Sequence, residues 1–364
     1  MKTQSAITLV IALLIVACSL ATGCKSGSEE VVLDDEIVNI LFPNRRNVLT
    51  GGDGAISIKV NEKESYWVWG DCFIGEVNDD NTRDMNSPLI VGNVWQLVSE
   101  KDAKTIHGGT ADNPKSIIEI DSVDGYYAFL WPMHGFVKNG IVHAFMSVIV
   151  RNGEEIFDFY WHSSRYYRLK YPELTIIDGE EMKPASQSGV HYGFGFFEKD
   201  GYCYTYGSAP RGYEGSPIHV ARARVVEDKL QSWEFFNGSS WGVNPLETKA
   251  LEGVDIPVSE QFSIFPYKGK FILVAQDRFK PDIYTYIADS PEGPWYNKKF
   301  IYNEPEAKDT TLFLYNAMAH PQYDRNGRLL VCYSVNTWNI PDLYSDVSIY
   351  RPRFIRVPYS LILE

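Results

Sequence analysis

Five times along the chain an apolar run ends in a tight polar turn and a second apolar run follows at once. The turns are Asn61-Glu62-Lys63, Lys138-Asn139-Gly140, Lys199-Asp200-Gly201, Lys268-Gly269-Lys270 and Arg325-Asn326-Gly327. Asn-Gly and Asp-Gly supply the positive φ angles that short hairpin loops require. The second runs read YWVWGDCF, IVHAFMSV, YCYTYGS, FILVAQD and LLVCYSV, rich in the aromatic and β-branched residues that fit a pleated sheet. Turns recur at roughly 60 to 75 residues, the length of a small sheet with loop insertions. No amphipathic helical stretch of useful length is expected after residue 30.

Further strands are expected in LIVGNVWQLV, IFDFYWHSSRYYRL, IHVARARV, DIYTYIADS and VSIYRPRFIRV. Outer strands are expected in SIIEI, ELTII, SWEFF and WYNKKFIY. Five units of three or four strands predict an all-β fold, a five-bladed β-propeller over residues 41–364, whose radial repetition protects sheet edges. Residues 31–41 are expected to add a strand that closes the ring. Two packed β-sandwiches are the rival fold, but they would not require five similar hairpins.

Residues 1–23 read as an export signal, with basic Lys2 and an apolar run from Ile7 to Ala17 that is short for a membrane span. Cys24 after Ala-Thr-Gly and Cys18 after Ile-Val-Ala both sit in lipobox-like settings. Cys24 is favoured, because residues 25–30 (KSGSEE) then form a polar tether within the segment 24–40. The chain is thus expected to be exported and lipid-anchored to a bacterial outer membrane or cell surface, and to act as a monomer. Cys72, Cys203 and Cys332 lie in apolar runs without metal-type spacing, so they read as buried small hydrophobes and no metal or cofactor is expected. The net charge of −13 argues against nucleic acid, which needs a basic surface.

Counting back seven to nine residues from each turn gives Asp53, Leu130-Trp131, His191, Glu260 and Asn316-Ala317 as equivalent positions on five inner strands. Acids brought to one level of a channel are costly to bury and mark a functional site. Asp53 sits among glycines in Thr-Gly-Gly-Asp-Gly-Ala, and Asp71 ends the run Trp67-Val68-Trp69-Gly70. Structural alternatives stay open: Asp53 capping a turn, Asp71 holding a loop, Glu260 as a solvated edge residue. Arg83 and Asn86, in the polar loop NDDNTRDMNSPL, and His320 are added as candidate contacts.

The run Gly51-Gly52-Asp53-Gly54 followed by Trp69-Gly70-Asp71-Cys72-Phe73-Ile74-Gly75 resembles the opening motifs of the domain-of-unknown-function 4185 group. Arg83, Asn86-Ser87, Ala221-Arg222, Gly293-Pro294-Trp295, residues 315–321 (YNAMAHP) and residues 350–354 (YRPRF) are similar in order along residues 40–358. The third position of the usual Gly-Asp-Thr/Ser-Phe is Cys72 here. This resemblance to bacterial lipoprotein propellers and five-bladed glycoside hydrolases implies cleavage of a polysaccharide or oligosaccharide, of the arabinan type in some members. Within that implication Asp53 serves as base or nucleophile, Glu260 as general acid and Asp71 as a pKa-tuning neighbour. Trp131, His191, Arg83, Asn86, Asn316 and His320 would then contact sugar. The alternative is a non-catalytic glycan-binding propeller on the cell surface.

Overall fold

The expected hairpins form, and each opens a separate antiparallel sheet. The computed structural model describes residues 30–364 except 156 and 211–215. Sheet 1 comprises Ile56–Lys59, Glu64–Trp69, Val94–Ser99 and Asp102–Ile106. Sheet 2 comprises Ala128–Lys138, Ile141–Arg151, Phe159–Lys170 and Thr175–Glu181. Sheet 3 runs through His191–Lys199, Tyr202–Ser208, Ile218–Val226, Lys229–Phe236 and Trp241–Gly242. Sheet 4 holds Ser263–Tyr267, Lys270–Gln276, Asp282–Ala288 and Tyr296–Asn303. Sheet 5 holds Leu312–Ala319, Arg328–Thr337 and Arg353–Pro358, with Val32–Leu33 at its outer edge. Within each sheet the strands lie side by side in chain order, except that Val32–Leu33, the first of the chain, lies beside the last strand of sheet 5.

The first strands of sheets 1 to 4 touch in sequence, and sheet 4 touches the first strand of sheet 5. Sheet 5 returns to sheet 1 where Ser57 Oγ meets His320 Nδ1 at 2.7 Å and Trp67 Nε1 donates to Tyr323 Oη at 2.7 Å. Apolar layers fill the spaces between neighbouring sheets. Tyr66, Trp67, Trp95, Leu130 and Val142 belong to one, Phe145, Tyr192, Tyr206 and Phe262 to a second, and Ile272, Val274 and Leu329 to a third. At the hairpin end, the first strands of all five sheets line one open cavity of about 670 Å³. Cys72, Cys203 and Cys332 are buried and unpaired, as their apolar runs imply.

Three strand expectations need correction. Residues 31–41 supply only the two-residue strand Val32–Leu33, paired with Ile355 and Arg356; Asp35–Leu41 is a helix. Asp34 caps that helix, accepting from the amides of Glu36 and Ile37, and Ile37 and Leu41 bury one face. Residues 116–120 form no strand; the outer strand of sheet 1 is Asp102–Ile106. The last strand begins only at Arg353, because residues 347–350 turn as a 3₁₀ helix. Among the described residues no helix is long and apolar enough to cross a membrane. The signal segment, Cys18 and Cys24 lie outside the described residues.

Candidate functional site

The first two acids arise from one bent hairpin. Val48–Gly52 pairs with Cys72–Gly75 and Ile56–Lys59 pairs with Glu64–Trp69, but the two pairs belong to different sheets. Both arms change sheet together at Asp53-Gly54-Ala55 and Gly70-Asp71. There Asp53 N donates to Asp71 O at 3.2 Å and Gly70 N donates to Asp53 O at 2.9 Å. The missing side chain at position 70 is a geometric requirement: a Cβ would lie 2.4 Å from Asp53 Oδ1. At Gly52 it would lie 2.6 Å from Cys72 Cβ.

Asp53 Oδ2 accepts from the Tyr315 hydroxyl at 2.8 Å and the Tyr350 hydroxyl at 3.2 Å. Asp71 Oδ1 accepts from Trp131 Nε1 at 2.7 Å and from Gly92 N at 2.9 Å. Burial raises both carboxyls above their ordinary range, and the Asp53 charge raises Asp71 further. The four donors offset part of that shift. Two neighbouring carboxyls in such surroundings resist losing both protons, so they titrate as a pair.

Glu260 enters from the loop before the first strand of sheet 4. Asn316 Oδ1 accepts from Ser259 Oγ at 2.7 Å and from Gln261 N at 3.3 Å, gripping both neighbours of Glu260. Asn316 adopts φ 58° where the register of sheet 5 shifts between Tyr315 and Met318. Adjacent residues therefore serve the two acids: Tyr315 holds Asp53, and Asn316 fixes the backbone around Glu260. Glu260 pairs with Arg278 at 3.4 Å, and its side chain is 55% exposed. Its pKa is nevertheless raised, because protein crowds the recess that water reaches; Arg278 opposes the rise.

Trp131 adjoins the acid pair through its bond to Asp71, and His191 feels the charge of Arg278, the ion-pair partner of Glu260. His191 stacks on Trp161 with ring centres 3.9 Å apart. Burial and the charge of Arg278 push the imidazole pKa down to about 4, so it is neutral near pH 7. Trp161 Nε1, Arg151 Nε and Gln261 Oε1 are buried without a protein partner. Such atoms call for water or a polar ligand.

Two candidate contacts are drawn into packing instead, and a third stays local. Arg83 is 3% exposed; its guanidinium donates to Leu343 O, Val347 O, Thr50 O and Thr50 Oγ1, and lies over the Phe73 ring. With its donors committed to those loop and strand acceptors, it is a brace rather than a sugar clamp. His320 is fully buried, with Nδ1 at Ser57 Oγ and Nε2 at Cys332 Sγ, and its ring lies 4.4 Å from that of Trp67. Asn86 is exposed and bonds Asp84 through its amide groups. Tyr315, Tyr350 and Arg278 were not singled out from sequence as partners of the acids. Tyr315 and Tyr350 fall within the two closing motifs, yet nothing near them in sequence marks them as donors to a carboxylate 262 and 297 residues away. Among the described residues, no group of three or more His, Cys, Asp or Glu is placed to hold a metal ion.

The family described as Domain of unknown function (DUF5005) matches residues 38–359. A search of the curated proteins finds no match. In fold the chain resembles a Bacteroides ovatus ATCC 8483 protein provisionally described as a hydrolase. That likeness has a TM-score of 0.74 at 15% identity, over 91% of this chain and 92% of the other. It is also similar to an exo-β-1,3-galactanase from Clostridium thermocellum, with a TM-score of 0.52 at 11% identity, over 89% of this chain and 61% of that one. A β-xylosidase, RS223, is similar more loosely, at TM-score 0.49 and 13% identity over 90% and 94% of the two chains. At these identities the likeness speaks for fold alone.

Proposed function

The chain belongs to the DUF5005 family, and from that premise we propose that it is a glycoside hydrolase on a five-bladed propeller, with Asp53, Asp71 and Glu260 as its reacting carboxyls. The carrying observation is the Tyr315-Asn316 dipeptide, which bonds Asp53 and fixes the loop bearing Glu260. Two separately placed acids are what glycosidic cleavage requires. Glu260, with its raised pKa, delivers a proton to the departing glycosidic oxygen. Asp53, held by two phenol donors, either takes a proton from the water that attacks the anomeric carbon or attacks that carbon itself. Burial raises the Asp53 carboxyl and so keeps it basic, while the Asp53 charge adds to the rise at Asp71, which leaves Asp53 the first of the pair to ionise. Trp131 and His191 bound the sugar, and Asn316 acts as a positioning residue for Glu260. Arabinan-type glycans head the substrate list, on the motif likeness to the 4185 group and related propellers. In this reading the domain works outside the cytoplasm as a monomer, tethered by a lipid on Cys24.

The test is hydrolysis of arabinan, xylan and β-1,3-galactan oligosaccharides by the purified chain. Asp53→Asn and Glu260→Gln should each reduce kcat by about 10²–10⁴-fold with the fold retained. Full activity in both variants overturns the assignment. Glycan retained without new reducing ends would favour the binding propeller instead.

A further inference from the structure

Six aromatic rings run without a break from one acid to its neighbour. Trp131, which donates to Asp71, meets Phe159 with ring centres 5.0 Å apart, and Phe159 meets Phe157 at 6.4 Å. Phe157 meets Trp338 edge to face at 5.7 Å, and Trp338 meets Phe313 at 4.4 Å. Phe313 stacks with Tyr315 at 5.4 Å, and Tyr315 donates to Asp53. Asp53 and Asp71 close the circuit through their backbone hydrogen bond.

The middle of this crescent belongs to two different sheets. Phe157 lies in the loop between the second and third strands of sheet 2, and Trp338 directly follows the second strand of sheet 5. Sheet 1, which supplies the acid pair, is the neighbour of both. The Phe157–Trp338 contact therefore spans the sheet 1 side of the acids, while Glu260 and His191 come from sheets 4 and 3. Phe157 is 56% and Trp338 60% exposed. Two rings that open and in contact form a contiguous apolar patch, the kind of surface that marks a binding groove. The loop after Trp338 is also braced by the loop that follows Cys72–Gly75, since Arg83 N donates to Tyr344 O and Val347 N donates to Asn81 O. This edge is built to stay where it is.

From this arrangement we infer that the Phe157–Trp338 bridge dead-ends the site, so that it takes the terminal sugar of a glycan chain and removes residues one at a time. The inference rests on the hydrolase reading and extends it to the form of the substrate. A terminal ring enters the crescent against Trp131 and Phe159, and the rest of the chain leaves toward sheets 3 and 4. Water adds across the terminal glycosidic bond: its oxygen, keeping one proton, becomes the new hydroxyl on the anomeric carbon, and its other proton goes to the base carboxylate. Glu260 gives its own proton to the departing oxygen, the two carboxyls returning to their starting states by proton exchange with solvent. Residues at the bridge thus set whether an end or a mid-chain bond can reach the acids.

The experiment compares arabino-, xylo- and β-1,3-galacto-oligosaccharides with free or chemically capped non-reducing ends, together with the parent polymers. Wild type should release monosaccharide from the first time point and leave capped chains intact. The Phe157→Ala/Trp338→Ala variant should raise the ratio of mid-chain to terminal cuts by about tenfold or more. A ladder of intermediate sizes from wild type, or an unchanged ratio in the variant, overturns the inference. If no variant cleaves anything, the hydrolase reading fails by itself and binding decides the pocket. Calorimetry should then show free-ended chains binding wild type about tenfold more tightly than capped ones. Equal binding, or none, overturns it.

Discussion

The two ends of the same five inner strands differ sharply in chemistry. At the hairpin end Phe136, Phe196 and Phe265 line the open cavity together with Lys59, Glu62 and His134, and His320 behind it is neutral, with burial pushing its pKa down to about 3. At the other end the strands start from irregular backbone, and Asp53, Asp71 and Glu260 gather there. Turn geometry explains the division. A tight hairpin leaves no freedom to aim a side chain, whereas a sheet switch at Asp53-Gly54 or a bulge at Asn316 re-aims one. The three candidate carboxyls lie where regular pairing breaks.

Gly70→Ala gives the strongest test of that contrast. Its Cβ would displace the Asp53 carboxylate, and a misplacement of that order should lower kcat/KM by about 100-fold with little change in Tm. Unaltered kinetics would remove the reason for the glycine. His320→Ala, on the packed side, should do the reverse. Losing the Ser57 bond and the packing on Trp67 should cost about 2–4 kcal/mol in urea unfolding, with kcat/KM per folded molecule intact. A raised KM would restore His320 as a sugar contact.

Asp71→Asn sharpens the comparison through pH. A carboxyl whose pKa is raised on folding weakens the native state once pH climbs past the unfolded value, and has no such effect below both values. The amide should therefore raise Tm by about 2–4 °C at pH 8 for each kcal/mol recovered, and leave it unchanged near pH 3. Equal gains at both pH values would show that charge is not the cause. The smallest effect belongs to the hairpin end. Gly269→Ala places a Cβ in open space but at φ 81°, so it should cost about 1 kcal/mol of stability and no activity. A kinetic defect there would break the division between the two ends.

Local signals made the hairpins and the acid pair legible, because turn residues and glycines act within a few positions of themselves. The helix Asp35–Leu41 was legible too: a capping Asp34, acids in the first turn and buried Ile37 and Leu41 four apart were all present. Reading that segment as a strand gave weight to ring closure over its own period. Arg83 misled for the opposite reason. A cation in NDDNTRDMNSPL looks solvated, and only the fold brings the carbonyls of Leu343 and Val347 around it. Tyr350 has the same character, since its bond to Asp53 joins residues 297 apart. Contacts of this kind are properties of topology, and no window of sequence contains them.

The pairing of Val32–Leu33 with Arg356 and Ile355 has a consequence in time. Asp34, buried beside Arg356 at 2.5 Å, must wait for a partner 322 positions downstream. While the chain is being made, the outer edge of sheet 5 cannot exist, and the start of the domain stays unpaired until ribosomes have delivered nearly all of it. The order of synthesis thus makes completion of that sheet a late event, decided by its two most distant segments finding each other.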